Sequence, residues 1–291
     1  MQITHINPNP LRAKDERKVV NIGELLVNMG KIDRDQLKRI LSWQQKAGLR
    51  FGEVASKLGL VSAADIGHAL AIQFNYHYLR SGQGSFSKAL TAAYQPFSPQ
   101  VEALRALRSQ LVLHWFNTGN RSLAVISANA GEGCSDLAAN LAVVFSQLGE
   151  RTLLVDANLR EPHQHAIFNL RQPYGLSDIL IGRVDHNVIA RITELDGLSV
   201  LPAGTIPPNP QELLSRKIFN DLIARLRDQY DVVIVDTPPA SMNSDAQTVA
   251  ARCGGALLVS RLNRTRLSDL ANIRDQLVFS DVAIVAAIVN D

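Results

Sequence analysis

Residues 122–145 read SLAVISANAGEGCSDLAANLAVVF, and this stretch decides the fold. Residues 123–126 are an apolar run of strand length, residues 128–133 form a turn of small residues, and from Ser135 the apolar spacing is helical. Strand, glycine-bearing turn and helix in that order make a phosphate-binding loop, in which backbone N–H groups and a helix N-terminus cradle anionic oxygens. The pattern G/A-x-x-x-x-G-K-[ST] is met at Ala128, Gly133 and Ser135 and broken once: Cys134 stands where the lysine belongs.

Downstream, RTLLVDANLREP (residues 151–162) is an apolar strand that ends at Asp156, and YDVVIVDTPPA (residues 230–240) is another that ends at Asp236. LSVL, GGALLVS and VAIVAAIVND add further strands, with helical patterns such as TRLSDLANIRDQLVF between them. Strands that are apolar throughout and alternate with helices form a parallel sheet covered on both faces. The expected fold class is therefore α/β, a doubly wound, mostly parallel sheet with a phosphate loop, preceded by a small all-helical domain. Ligands of such sheets sit beyond the carboxyl ends of the strands, which brings the loop, Asp156 and Asp236 together. A hydroxyl at Ser135 and a carboxylate at Asp236 suit Mg²⁺, and two strand-end aspartates beside a glycine-bearing loop favour a nucleotide site over simple turn caps.

At 291 residues and 46% hydrophobic content, the chain can build one sizeable core and a second small one. The net charge is +3, and residues 1–80 hold 12 Lys/Arg against 7 Asp/Glu. That basic excess lacks the dense stripe of a nucleic-acid surface, so nucleic acid is excluded as a partner. Two cysteines, Cys134 and Cys253, imply no disulfide framework. No apolar run reaches membrane-spanning length, so a cytoplasmic protein is expected, brought to the inner membrane by a partner.

Residues 1–18 read as a flexible tail. NIGELLVNMGKIDRDQLKRILSWQ (residues 21–44) and RFGEVASKLGLVSAADIGHALAIQ (residues 50–73) then repeat with a period of 29. Each copy predicts a short helix ending at a capping glycine, Gly30 or Gly59, then a cap at Asp33 or Ser62 and a second helix. The helical domain is placed at residues 19–80, an interdomain linker at 81–98 and the α/β domain at 99–291. PQVEALRALRSQLVLHW suits an amphipathic helix on which Glu102, Arg105 and Arg108 follow one another along one shoulder.

The tandem copies resemble the N-terminal domain of type II secretion and pilus ATPases in its MshEN form, through R-L-G-x-x-L-L-x-x-G and L-x-x-x-L-x-x-Q. That family binds cyclic di-GMP, which here implicates Gly23, Arg50, Gly52 and Gly59. Asn21 occupies the place of the first copy's arginine, and Phe51, Ala55 and Ser56 also depart from the pattern. An arginine presents a planar charged fork that asparagine cannot replace, so a packing and partner-docking role stands beside the ligand role.

The series S-A-x-x-G-E-G-[K]-S, L-L-V-D-A-[D]-x-R-x-P and V-V-I-V-D-T-P-P resembles the bacterial tyrosine kinases of the MinD/ParA-like branch. EALRALR is similar to their E-x-x-R-x-x-R oligomerisation helix. LPAGTIPPNPQELL and the Asp245-Ala246 pair match as well. With the helical domain in front, the chain looks like the EpsG-type chain-length-determinant kinases of exopolysaccharide clusters. The resemblance implies ATP or ADP phosphates at Ala130, Gly131, Glu132, Gly133, Cys134, Ser135 and Asp136. It also implies Mg²⁺ at Ser135, Asp156 and Asp236, with Asp156 and Asp236 catalytic and Asp156 the base. A homo-oligomer through Glu102, Arg105 and Arg108 follows too, with a separate membrane-embedded Wzz-type polysaccharide co-polymerase as partner.

Three positions depart from that family: Cys134 for lysine, Asn158 for the second aspartate of D-x-D, and Ala130 for proline. Such kinases carry a tyrosine cluster in their own tail, whereas here only Tyr94 falls in a segment read as flexible. Two readings follow. In one the chain is a tyrosine kinase in which an arginine such as Arg160, or one from a neighbouring subunit, replaces the lysine. In the other it is a regulatory module that binds nucleotide with little catalysis. At Cys134 a helix N-terminus would lower the thiol pKa and make it reactive, against the plainer reading of an inert small residue.

Overall fold

The computed structural model describes residues 21–73, 79 and 84–290. Two compact units divide between Tyr76 and His77, and the tail read at residues 1–18 lies outside the described residues. In the first unit, α1 (Ile22–Asn28), α2 (Arg34–Ala47), α3 (Phe51–Lys57) and α4 (Ala63–Gln73) repeat a short helix and a longer one. Gly30 and Gly59 both sit at left-handed φ, +66° and +65°, directly after α1 and α3. Asp33 forms a capping box with Gln36, and the Ser62 hydroxyl accepts from the Asp65 N–H. A Cβ on Gly23 would collide with Leu37, and one on Gly52 would lie 3.1 Å from Ile66. The period of 29 is therefore a packing period: at each copy a bare Cα receives the apolar knob of the following long helix.

In the second unit β1 (Ser122–Ser127), β2 (Thr152–Asp156), β3 (Ala190–Arg191), β4 (Leu198–Leu201), β5 (Val232–Asp236), β6 (Gly255–Arg261) and β7 (Ala283–Asn290) form one sheet in the order β3-β4-β2-β5-β1-β6-β7. All pairings are parallel except β3 with β4. Every residue of β1, β2 and β5 is buried, as their unbroken apolar runs require. The edge strand β3 is two residues long, too short to leave a periodic trace.

Helices cover both faces. One carries α5 (Thr91–Tyr94), α6 (Pro99–His114), α7 (Cys134–Ser146) and α8 (Gln164–Ile167); a second core includes α9 (Leu176–Leu180), α10 (Pro210–Ser215), α11 (Lys217–Gln229), α12 (Asp245–Cys253) and α13 (Leu267–Phe279). α7 is buried without interruption from Ala138 to Ser146, the mark of a helix apolar all round and enclosed on every side.

That enclosure takes in the described part, residues 84–98, of the stretch expected to be a linker at 81–98; residues 81–83 lie outside the described residues. Leu90, Ala92 and Ala93 are fully buried in the core of the second unit. From α7, Asn140 Oδ1 accepts from the Ala92 N–H at 2.8 Å and Asn140 Nδ2 donates to the Ala89 carbonyl at 2.8 Å. Small side chains in KALTAAY let the backbone approach α7, and amides on α7 satisfy its polar groups. Tyr94 belongs to this packed segment and is half-buried, its hydroxyl donating to the Phe86 carbonyl at 3.4 Å, so it is no flexible acceptor tyrosine.

A second close approach shapes the strand-end surface. Leu176 and Ser177 donate their N–H groups to Pro202 and Ala203 at 2.8 and 2.9 Å. The buried Asp178 carboxylate accepts from Gly175 N, Thr205 N and Thr205 Oγ1. A Cβ on Gly175 would overlap the Pro202 carbonyl oxygen and the Gly204 nitrogen. Gly175→Ala should therefore destabilise the fold by about 1–3 kcal/mol or more, as overpacking against backbone does, read as a lower urea midpoint at unchanged m-value.

Candidate functional site

The turn between β1 and α7 is held in a phosphate-loop shape by three devices. Gly131 and Gly133 adopt φ of +76° and +81°, which only glycine takes without strain. The buried Glu132 carboxylate accepts from Asn129 N at 3.0 Å and from the Thr265 hydroxyl at 2.5 Å, clamping the loop to the segment after β6. The loop following β5 is laid on the end of β1 by Ala240 N to Ser127 O and Ser241 N to Ala128 O. α7 begins with no side-chain cap, so its first N–H groups face the loop free for an anion.

β2 and β5 run in register, so Asp156 and Asp236 are ladder partners at the strand ends. Both are fully buried. Asp156 Oδ1 accepts from the Asn158 N–H, and its Oδ2 from the N–H groups of His163 and Gln164 at 3.0 and 2.9 Å. Asp236 Oδ2 accepts from Gln164 Nε2 at 2.7 Å, and the same amide nitrogen donates to the Ser135 carbonyl. Burial, and then the Asp236 charge beside it, pushes Asp156 up to about 8; burial pushes Asp236 up to about 6.

Asp236 Oδ1 and Gln164 Oε1 are buried and have no hydrogen-bond partner among the described residues. Buried acceptors without donors, beside two like charges, fit a cation and its water. Among the described residues no group of three His, Cys, Asp or Glu side chains converges. Two carboxylates and the Ser135 hydroxyl are instead the sparse set that suits Mg²⁺, which keeps several waters and takes the rest of its shell from substrate phosphates.

Above the aspartates lies a cleft of about 320 Å³ lined by residues 130–136 of the loop, Asn158, His163 and Thr237 among others. Neither Asp156 nor Asp236 lines it, though their neighbours Asn158 and Thr237 do. A second cavity of about 440 Å³ borders Gly131 and Gly133 on the other side, lined also by Gln100, Asn140, Arg261 and Asn290.

Every loop residue singled out from sequence, Ala130 to Asp136, thus lines the cleft, but two of them turn their side chains away. Glu132 is spent on the clamp. Cys134 is buried, and its thiol donates to the Val125 carbonyl at 3.2 Å. Burial, followed by the Asp236 charge, pushes the thiol well up, so the reactive-cysteine expectation is wrong: desolvation outweighs the helix N-terminus. Arg160 is engaged elsewhere, its Nε 2.8 Å from Oδ2 of the buried Asp245. On α6, Arg105 bridges Glu102 and the Pro96 carbonyl, and Arg108 donates to Val144 O, so part of the shoulder is used within the chain. In the helical unit Gly23 and Gly52 serve packing, Gly59 serves a turn, and Arg50 is exposed. Sequence reading missed Gln164, Arg261, Arg264 and Asn290; only the glutamine was near a motif, eight residues after Asp156.

A family model described as AAA domain matches residues 120–251. Tyrosine-protein kinase YwqD of Bacillus subtilis is 35% identical over 73% of this chain and 90% of its own length. The chain belongs to the bacterial tyrosine kinase family. Its similarity to the putative tyrosine-protein kinase CapB of Staphylococcus aureus is 32% over 86% of that protein, whereas it spans only 27% of tyrosine-protein kinase Etk of Escherichia coli. The solved kinase domain of Etk superposes with a TM-score of 0.67 at 35% identity, covering 69% of this chain and 79% of that one.

The raised carboxylates make the free protein sensitive to pH. A folded-state pKa above the unfolded value favours the folded state below about pH 4 to 5, and that contribution is lost as pH rises towards 8. Asp236→Asn should therefore raise the melting temperature of the metal-free protein most at pH 8, less at pH 5 and hardly at all at pH 4, with about 2–4 °C for each kcal/mol gained. Added Mg²⁺ should raise the melting temperature of the wild type alone.

Proposed function

We propose that this chain binds Mg²⁺–ATP at the strand ends and acts as a protein-tyrosine kinase of exopolysaccharide export, in the chain-length-determining manner its sequence resembles. The observation that carries this reading is the in-register pair Asp156 and Asp236 beneath a glycine-held loop, with unpartnered acceptors at Asp236 Oδ1 and Gln164 Oε1. The phosphates lie on the N–H groups of residues 130–136, and the second cavity takes the nucleoside. Ser135, Asp156 and Asp236 would hold the ion. Bound Mg²⁺ supplies charge neutralisation on the transferring phosphoryl group. Asp156, poised near neutrality and locked by three backbone N–H groups, receives the tyrosine proton through a water, since its carboxylate does not line the cleft.

The helix bearing Glu102, Arg105 and Arg108 meets a neighbouring subunit. Among the described residues no helix is long and apolar enough to cross a membrane, which supports a cytoplasmic protein working with a separate membrane-embedded co-polymerase. Cys134 favours a second reading, a nucleotide-binding regulatory module with slow transfer, because its thiol is turned to the Val125 carbonyl and brings no positive charge to the cleft. The helical unit is then a docking unit, its glycines explained by packing and turns rather than by cyclic di-GMP.

Incubation with Mg²⁺ and radiolabelled ATP separates the readings. Label on tyrosine, lost in Asp156→Ala and Asp236→Ala by at least the roughly 10²-fold that one general base supplies, supports the kinase. Tight ATP binding without label supports the module, and absence of binding sinks both. Calorimetry with cyclic di-GMP should show no heat; saturable binding lost in Arg50→Ala would restore that ligand.

A further inference from the structure

We propose that Arg261 and Arg264 supply, from the rim of the loop, the positive charge on the nucleotide phosphates that Cys134 cannot supply from inside it. This rests on the nucleotide reading of the site. The surroundings of the loop are acidic: Glu132, Asp136, Asp156, Asp236 and Glu161 all line the cleft or neighbour residues that do. A polyphosphate placed there needs a cation beyond the metal. Arg160 does not serve, because freeing it would leave Asp245, 1% exposed, as an unpaired buried charge.

Arg261 and Arg264 lie against the loop itself. Arg261 Nη1 donates to the Gly131 carbonyl at 2.9 Å, and its side chain lines the cavity beside Gly131 and Gly133. The Arg264 guanidinium is 3.7 Å from where a Cβ on Gly131 would stand. Neither has a carboxylate partner among the described residues, and Arg264 is exposed. The turn that carries them is anchored to the same loop. Arg261 N donates to Thr265 Oγ1 at 2.7 Å, and that hydroxyl donates to the Glu132 carboxylate. Arg264 N closes the turn on Arg261 O at 3.1 Å.

One charged fork, Arg261, is therefore held at the anion cradle by its bond to Gly131, and a second, Arg264, stands beside the same glycine, both with N–H donors unspent. A guanidinium has five donors in a plane, so Arg261 can keep its bond to Gly131 and still present others to a phosphate. The Arg261 contact also ties the loop's left-handed turn to the cation that would meet the ligand.

The test is binding of fluorescent ATP and ADP analogues with Mg²⁺ to the full chain, alongside competition by adenosine. Arg264→Ala removes an exposed group whose side chain makes no hydrogen bond among the described residues, so folding is preserved; Arg261→Lys keeps charge while losing the fork. Arg264→Ala and Arg261→Ala should each weaken ATP about ten-fold, the loss of one charge-assisted contact. Adenosine should bind Arg264→Ala as it binds the wild type, and Arg261→Lys should recover part of the loss of Arg261→Ala. The salt dependence of ATP binding should flatten in the double variant. Wild-type affinity for ATP in the double variant overturns this assignment alone. Equal losses for ATP and adenosine overturn it too, since the guanidinium groups then serve the nucleoside. A wild-type chain that binds no nucleotide overturns the reading of the site together with this assignment.

Discussion

Two carboxylates on one rung of a parallel ladder, Asp156 and Asp236, set the terms for everything around the strand ends. Removing like charges from water together is costly, and the structure offsets that cost unequally. Asp156 gathers three backbone N–H groups, and in doing so curls the chain after β2 back onto its own strand. That curl delivers Gln164, whose amide ties Asp236 Oδ2 to the Ser135 carbonyl at the start of α7. One residue thus joins both strands and the helix of the phosphate loop, its backbone N–H bonding Asp156 and its amide bonding Asp236 and Ser135. Asp236 Oδ1 is left without a donor among the described residues, a place that a cation or its water would fill.

Cys134 shows that the shape of a phosphate loop and its charge are separable. The loop's shape rests on two left-handed glycines, the Glu132 clamp and the strap after β5, none of which involves residue 134. A small thiol fills the space at the start of α7 and donates to Val125 O, and the backbone cradle remains. What is lost is electrostatic, a long side chain that could follow charge on a phosphate from ground state to transition state.

The parallel sheet was legible because its strands are apolar from end to end, and the loop and both aspartates were legible because they sit where such strands stop. The packed segment at residues 84–98 was not: its polar backbone is satisfied by Asn140 and Gln147, side chains about fifty positions away, which leave no periodic mark. Gln164, Arg261, Arg264 and Asn290 were missed for the same reason, since their meaning lies in the partners the fold brings to them. At Cys134 a local rule about helix ends was applied to a site where desolvation is the larger effect. The tandem helices were read correctly as a repeat, while the role of Gly23 and Gly52 emerged only from the knobs, Leu37 and Ile66, that fill their places.

The distinction between binding and turnover follows from where charge stands relative to the reacting atoms. A cation that meets the phosphates equally before and during transfer tightens binding without raising the rate of the chemical step. A rim arginine such as Arg261, anchored to Gly131, would be of that kind, whereas a lysine at residue 134 would approach the phosphates from within the loop. A chain that retains Asp156, Asp236 and Ser135 but moves its positive charge outward keeps the means to hold Mg²⁺ and nucleotide. It gives up part of the stabilisation that appears only as the phosphoryl bond breaks. Occupancy then has a physical consequence of its own: ligand that satisfies Asp236 Oδ1 stabilises the folded state by mass action. The Gln164 bridge carries that stabilisation into α7, the buried helix on which α5 and α6 pack. A ligand held there would thus act on the helix that supports the face bearing Glu102, Arg105 and Arg108, whether or not the phosphoryl group is transferred quickly.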